Sequence, residues 1–575
     1  MSKNKTTTPW LTALAALTAL AAPPAQGIEP DHLNQQEPTR PPYLERPSAD
    51  RFTLPPIAPD GTVVAPEAAP IVLDQVFFIG NSVISSADLQ ALAAPYLGRA
   101  VGAADIEMLR QQVSQLYVDR GYINSGAVLT SDAWAQHTLT LQIIEGRLKT
   151  VQVRGFDQLD PHYVTDYLLR GDEALNILTL GERFQLLLTN PLFARLNGEL
   201  LPDIERGKAV LNVDIEPARL YQLSVLVNNY QPISIGPQNV TLSGWLRNLT
   251  GHGDTLEASY QGPLGDGEAR RSALGWHLPL NTKGTQLSIN YDIGAASVIQ
   301  QPMQQMNIKS DLVNKEFGLS QTLSETLRQK FVIGLNRVWR ANSTTVAGNP
   351  YSFVTGEPSG TSRVRDWRFW QEYSHRWENQ VLALRSIFTF GQNNELAASE
   401  LDARIADRTL ERSYRIWLGQ AQYAQKIHDN GSQLILRLNL QRTPDRLIPI
   451  EQMAIGGLNT VRGYLENQLV RDNGVVANIE LDVPVLADSA RQLRLNLKPF
   501  IDYGRAWNTS GRSWETDQKA LALISSYGLA ARLSWQRLTF DLSIAKRLHH
   551  SGTSISNGGS LQEKGIELQV SYDFF

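Results

Sequence analysis

The chain has 575 residues, too many for one ordinary domain. Charged residues make up 19%, the formal net charge is −4 and cysteine is absent. This excludes a basic nucleic-acid footprint, a disulfide framework, and thiolate catalysis or metal ligation. Hydrophobic residues reach 42%, yet mean hydropathy is −0.24. A bundle of membrane helices needs several apolar runs of about 18 or more residues, and the chain lacks them.

The only strong apolar run lies at the start. Lys3 and Lys5 precede Leu11–Ala22, Pro23 and Pro24 break the run, and Ala25-Gln26-Gly27 offers small residues for cleavage. Residues 1–27 read as a secretory signal peptide; the run is short for an uncleaved anchor. Residues 28–70 carry prolines from Pro30 to Pro70, too closely spaced for a long helix or a central strand. They read as an extended linker, in which residues 31–37 could form a short helix before Pro38.

Residues 71–217 mix helical and strand periods. Val76 and Phe78 alternate toward Gly80-Asn81, and Ser86 can cap a helix through Leu89, Leu92 and Ala93. Ile106, Leu109, Val113, Leu116 and Tyr117 recur at spacings of one to four, an amphipathic helix stopped at Gly121. Ala127–Leu129 and the alternating Leu139, Leu141 and Ile143 then predict two strands. The order β-α-α-β-β repeats in the next segment. Val151 and Val153 begin it, helices fit Pro161–Leu169 and Leu180–Thr189, and strands fit Leu196–Leu200 and Leu211–Ile215. Two α+β modules, 71–146 and 147–217, follow from this internal repeat.

From residue 219 helical periodicity fades. Short alternating runs replace it, such as Leu434, Leu436, Leu438 and Leu440, or Leu493, Leu495 and Leu497 with Arg494 and Asn496 between. A transmembrane β-barrel needs segments of about 9–11 residues with one apolar face. At roughly 20–24 residues per strand plus turn, 219–575 yields about 15–18 antiparallel strands, and 16 is the even choice. Polar stretches near 293–310, 341–366 and 391–411 read as outward loops. Trp339, Trp367, Trp370, Trp377 and Trp535 suit interfacial girdles. The final alternation Ile566, Leu568, Val570, Tyr572, Phe574 ends one residue before the terminal Phe575. It reads as a closing strand, and its aromatic terminus resembles the signal that bacterial outer-membrane proteins present for assembly.

Enzyme constellations are missing: no G-x-S-x-G elbow, no P-loop, no H-E-x-x-H. His549-His550 lies in a basic, serine-containing stretch without acidic or thiolate partners, and reads as a solvated loop, not a metal site. The chain is therefore read as a non-enzyme without metal or cofactor. Two other segments stand out. One is Gly456-Gly457-Leu458-Asn459-Thr460-Val461-Arg462-Gly463-Tyr464. The other is Phe500-Ile501-Asp502-Tyr503-Gly504, where Phe500, Asp502 and Gly504 share one strand face. An aspartate facing lipid is costly, so Asp502 should face the lumen and seek a cation.

V-R-G-Y at Val461–Tyr464 followed by F-x-D-x-G at Phe500–Gly504, together with the two modules and the barrel, resembles one family. It is that of the two-partner secretion (type Vb) transporters, the ShlB/FhaC/HecB-like haemolysin and adhesin activators. The resemblance spans nearly everything after the signal. It implies a bacterial outer-membrane barrel preceded by two periplasmic POTRA domains. It also implies that Val461, Arg462, Gly463 and Tyr464 tip a loop folded into the lumen, with Arg462 paired to the wall residue Asp502. That pair is either a strut for the barrel or a latch for the loop. The turn Ile144-Glu145-Gly146 is similar to the end of a POTRA domain, whereas Asn190-Pro191-Leu192-Phe193 departs from the family by lacking a glycine after the proline. The implied partners are a large exported adhesin, haemolysin or toxin, unfolded in transit, together with outer-membrane lipid and the barrel-assembly machinery. The implied function is export of that partner after its capture by the POTRA pair. The alternative is a barrel-assembly factor, whose relatives carry more POTRA repeats; a diffusion porin would need no POTRA domains.

Overall fold

The computed structural model describes residues 52–53, 70–130, 134–135, 137–169, 173–265, 267–300, 303–351, 359–393, 412–509, 522–551 and 558–574. The expected signal peptide over 1–27, residues 31–37 and nearly all of the proline-rich segment lie outside them. Among the described residues no helix is long and apolar enough to cross a membrane.

The first module comprises β1 (Gln75–Ile79), α1 (Ser86–Ala93), α2 (Ala103–Asp119), β2 (Gly126–Val128) and β3 (Thr138–Ile144). Asp105 begins α2 by accepting from the Gly102 N–H at 2.9 Å, one of the donors a helix start leaves unpaired. Ile106, Leu109, Val113 and Tyr117 then fall on one stripe and pack against Leu139, Leu141 and Ile143 of β3. β1 pairs in parallel with β3, and β2 pairs antiparallel on its other side.

Glu145 closes this module. Its carboxylate accepts from the Ser82 amide at 2.6 Å, the Val83 amide at 2.9 Å, the Tyr117 hydroxyl at 3.1 Å and the Ser82 hydroxyl. Burial works against its charge, but the donors from Ser82, Val83 and Tyr117 prevail and hold the carboxyl below its ordinary value. A lowered folded-state value means stabilisation that is complete above the unfolded value of about 4.3 and lost as pH falls through the folded one. Glu145→Gln is expected to cost about 1–2 kcal/mol at neutral pH, allowing for solvent screening, with the difference vanishing on acidification. Hydrogen exchange of residues 71–146 within the full-length protein, followed against pH, measures this.

The second module comprises β4 (Arg147–Arg154), α3 (Pro161–Leu168), α4 (Ile177–Leu188), β5 (Phe193–Pro202) and β6 (Lys208–Pro217). Pro161 opens α3 behind the cap Asp160, and Asn176 caps α4. β6 is central, parallel to β4 and antiparallel to β5. The linker residues Phe52 and Thr53 add a short parallel strand to the outer edge of β5, opposite Gly198 and Glu199. The two modules dock through α2 and α4. The Asn176 side chain donates to Arg120 O and the Ile177 amide to Gly121 O, both at 2.9 Å. Gly121 has φ +90°, and a Cβ there would lie 2.8 Å from the Asn176 side-chain oxygen, so the contact requires glycine.

The stretch Asn190–Phe193 finds its reason here. Leu192 is 2% exposed and fills the second module's core. It is not among the residues with a left-handed backbone, so glycine is not demanded. Its carbonyl accepts from the Ala218 amide at 2.9 Å, and the Pro191 carbonyl accepts from Arg247 at 3.1 Å. The Asp160 amide reaches Gly251 O at 2.8 Å. The departure thus lies at the joint where the second module meets the first turn of the barrel.

The remainder is a closed antiparallel barrel of sixteen strands, apart from a two-residue return at Asn349–Pro350. They are β7 (Tyr221–Asn228), β8 (Asn239–Arg247), β9 (Thr255–Pro263), β10 (Arg270–Pro279), β11 (Thr285–Ser297), β12 (Ile308–Glu325), β13 (Gln329–Val346), β14 (Thr361–Arg376), β15 (Gln380–Asn393), β16 (Ser413–Lys426) and β17 (Gln433–Arg442). A long loop carrying the short strands β18 (Met453–Ile455) and β19 (Leu469–Arg471) follows. The wall then resumes with β20 (Asn473–Asp488), β21 (Leu493–Trp507), β22 (Ala522–Trp535), β23 (Leu538–Ser551) and β24 (Ile566–Asp573). β7 closes on β24, from Ser224 opposite Asp573 to Asn228 opposite Gln569.

One pair of rows shows the inside-out character of this barrel. Asn478, Asp502 and Ser526 are register partners across β20, β21 and β22, and all three are buried. The adjacent row, Ile479, Ile501 and Tyr527, is 50%, 55% and 41% exposed. Polar residues line the lumen and apolar ones face outward, as a hydrocarbon surround requires.

Three expectations need correction. Strand reaches into the supposed loops: β12 and β13 run for 18 residues each, and residues 293–297, 308–310, 341–346 and 361–366 are strand. Hairpins that continue past the bilayer are wetted on both faces, so their polar sequence resembles a loop. Trp370 faces inward and donates to the Asn336 side chain at 3.0 Å, while Trp367 and Trp339 face outward. Three residues on a strand is an odd step, so Trp367 and Trp370 must take opposite faces. His549 and His550 lie on β23, exposed, and not in a loop.

Candidate functional site in the barrel lumen

The loop between β17 and β20 folds into the lumen, and its tip carries Val461–Tyr464. Every residue of that motif meets the wall. Val461 is fully buried. It sits over Gly504, where a Cβ would lie 2.7 Å from Val461 Cγ2 and equally close to Ile455 Cγ2. Only a glycine admits the tip at that point.

Arg462 extends along the face formed by Phe500 and Asp502. Its Nε donates to Asp502 Oδ2 at 2.8 Å and its Nη2 to Asp502 Oδ1 at 2.8 Å, a bidentate fork. The remaining guanidinium nitrogen, Nη1, reaches Glu480 Oε2 at 2.8 Å. The guanidinium carbon lies 3.4 Å from the Phe500 ring centroid, a cation–π contact. Asp502 is fully buried and also accepts from the Arg462 backbone N–H at 3.1 Å and from Asn478 Nδ2 at 2.8 Å. Glu480 further meets Arg437 and Lys498, each at 3.9 Å. Two carboxylates thus hydrogen-bond one arginine, the buried Glu567 lies near it, and two further cations stand beside Glu480.

Gly463 has φ +86°, a conformation open chiefly to glycine, and a Cβ there would lie 2.8 Å from the Ala545 Cβ. Arg547 Nε donates to the Gly463 carbonyl at 2.7 Å. The Tyr464 hydroxyl reaches the carbonyls of Ser525 at 3.1 Å and His549 at 2.8 Å. The tip therefore spans β20 to β23. Beside it is a cavity of about 430 Å3, bordered by Arg462, Glu480, Lys498, Arg271 and Arg532.

The structure thus brings Val461–Tyr464 and Phe500–Gly504 together. Glu480, Asn478, Arg437, Lys498 and Arg547 were not singled out from sequence. Asn478, Glu480 and Asp482 step by two between Ile479 and Leu481. A polar series at period two with apolar residues between is a lumenal face, and it was available as a signal. The C-terminal residues stand apart from this site. Tyr572 and Phe574 meet edge-on at 5.3 Å, and the Phe574 amide donates to Leu223 O at 2.9 Å. Phe575 is outside the described residues.

Residues 207–532 match the family described as haemolysin secretion/activation protein ShlB/FhaC/HecB, more than half of the chain. The chain belongs to that family. Residues 71–146 match the POTRA domain of ShlB type. Among curated relatives, the outer membrane transporter CdiB of Dickeya dadantii is 24% identical over 72% of this chain and 74% of its own length. The heme/hemopexin transporter protein HuxB of Haemophilus influenzae is 21% identical over 33% of this chain and 34% of its own. Among solved structures, CdiB from Escherichia coli superposes with a TM-score of 0.68 at 19% identity, over 92% of this chain and 95% of that one. BamA from Haemophilus ducreyi lacking POTRA domains 1–3 shares the fold at a TM-score of 0.51 and 13% identity, over 88% of this chain and all of that one. The protein is an outer-membrane transporter of the two-partner secretion family, with its POTRA domains in the periplasm.

Proposed function

We propose that this transporter captures a large exported protein, an adhesin, haemolysin or toxin, through its POTRA pair and passes it unfolded through the barrel. The observation that carries this reading is a lumen entered by a loop whose tip is fastened by side-chain contacts to Asp502 and Glu480, beside two α+β modules docked to the barrel. Side-chain contacts can release and re-form without breaking the wall, which suits a gate. Arg462 acts as the latch. The names of the relatives, transporters in each case, point the same way.

Capture proceeds by strand addition. The outer edge of β5 is already taken by Phe52 and Thr53. β1 pairs only on its β3 side among the described residues, and it presents Phe77 and Ile79, 51% and 59% exposed, away from the core. An extended apolar segment of the partner can pair there and cover both side chains. Residues 1–27 serve as the export signal, and the C-terminal sequence bearing Tyr572, Phe574 and Phe575 is read by the barrel-assembly machinery.

The test is the fate of the exported partner. Deleting the transporter should trap it in the periplasm, and unchanged surface delivery would sink the proposal. A general loss of porins on depletion would favour barrel assembly instead. A narrower prediction concerns β1. Full burial of a large apolar side chain is worth about 1.5–3 kcal/mol. Phe77→Asp with Ile79→Asp is therefore expected to weaken partner binding by at least about ten-fold. Barrel abundance should not change, which immunoblotting alongside a pull-down of the partner's N-terminal segment measures.

A further inference from the structure

The lumenal loop is fastened at a second place, and the tip motifs do not account for it. Glu451 ends a short 3-10 turn, Pro449–Glu451, near the start of the loop. Its carboxylate meets Arg340 of β13 at 2.9 Å and Arg368 of β14 at 3.3 Å. Arg368 also meets Asp366 at 3.1 Å, and Asp366 accepts the Tyr414 hydroxyl of β16 at 2.6 Å. The side chains of Glu451 and Asp366 are 4% and 0% exposed. Arg340 Nη1 also donates to the Ile450 carbonyl at 3.3 Å, and Gln441 donates to the Glu451 carbonyl at 3.1 Å. Leu447 and Ile448 pack beside this cluster on Val364, Tyr414 and Ile416.

Arg340 and Arg368 both face Glu451, and Arg368 also meets Asp366, so neither carboxylate is buried without a cation beside it. The arrangement is specific, because both cations reach the loop from wall strands that the tip does not touch. The base lies on β13, β14 and β16, while the tip lies on β20 to β23. Between them β18 pairs antiparallel with β19, which makes the crossing segment a hairpin and not a slack tether.

We propose that Glu451 is a positioning residue: a second, independent anchor that keeps the loop's base on the β13–β14 wall when the tip leaves Asp502. The loop then swings about its base and stays within the barrel. This rests on reading the loop as a gate, but it concerns anchorage alone and is tested without the exported partner.

Cysteine is absent from the chain, so single reporters are clean. Ile448 and Val461 are 2% and 0% exposed and report base and tip. In purified full-length protein, Ile448→Cys or Val461→Cys is labelled with N-ethylmaleimide in three backgrounds: otherwise unchanged, with Glu451→Gln, and with Arg462→Ala. Glu451→Gln is expected to raise base labelling several-fold and leave the tip protected. Arg462→Ala should do the reverse. A base that stays protected in Glu451→Gln, or a tip exposed equally by it, overturns the proposal. If Glu451→Gln does not yield a heat-modifiable barrel, Arg340→Gln, which leaves Arg368 in place, gives the same reading. Failure of both variants to form a barrel also overturns it, because Glu451 would then serve the wall and not the loop.

Discussion

Arg462→Ala is expected to loosen the lumenal loop and lower stability by about 2–4 kcal/mol. Breaking a buried pair by removing one partner typically costs about 3–5 kcal/mol, because the remaining charge is left desolvated. Two features trim that figure here. Asp502 keeps the Arg462 backbone N–H and Asn478 Nδ2 as donors, and Glu480 keeps Arg437 and Lys498 nearby. The cavity beside the site gives water a path to the stranded carboxylates. Denaturant unfolding of the full-length protein in detergent measures the loss. Raising the salt should shrink the difference between the two proteins, since the screening length falls to about 3 Å at 1 M. Comparing partner delivery with barrel abundance separates latch from strut. Delivery lost at normal abundance marks a latch. Parallel loss of both marks a strut, and then Arg462 has no gating role.

Much of this architecture was legible because it rests on periodicity. The helix α2 declares itself through Ile106, Leu109, Val113 and Tyr117, and barrel strands through alternations such as Leu434 to Leu440. The pairing of Arg462 with Asp502 needed more. The strand face of Asp502 follows from alternation, but its partner came from resemblance, since 40 residues separate the two. What stayed hidden depends on contacts between elements. Arg340, Arg368 and Glu451 lie on two strands and a turn, and nothing local marks them as neighbours. Strand length was hidden for another reason. Beyond the bilayer the outward face no longer needs to be apolar, so β12 and β13 lose the pattern that would reveal them. Trp370 was a different kind of miss, because alternation from Trp367 already decided its face. Leu192 shows how a departure from a family pattern can be structural: it exchanges a flexible position for a packed one at the module–barrel joint.

Gly463→Val is expected to detach the tip without altering a single charge. Gly463 has φ +86°, where a left-handed backbone costs an ordinary residue about 1–2 kcal/mol, and a β-branched one more. Its Cβ would also lie 2.8 Å from Ala545 Cβ, on a wall strand that cannot yield without disturbing its ladder. Overpacking of that kind costs about 1–3 kcal/mol, so the total is about 2–5 kcal/mol, comparable to that of Arg462→Ala. The two variants differ in what they leave behind. Arg462→Ala strands two carboxylates, whereas Gly463→Val leaves Arg462, Asp502 and Glu480 all present and charged. Single-channel recordings in planar bilayers distinguish the consequences. If the seating of the tip closes the lumen, both variants raise conductance alike. If the charge of Arg462 sets the barrier, only Arg462→Ala changes ion selectivity, shifting it toward cations as the lumen loses a positive group. A Gly463→Val protein with unchanged conductance would mean that the ion pair seats the loop without the tight turn, and the glycine would then serve folding and not closure.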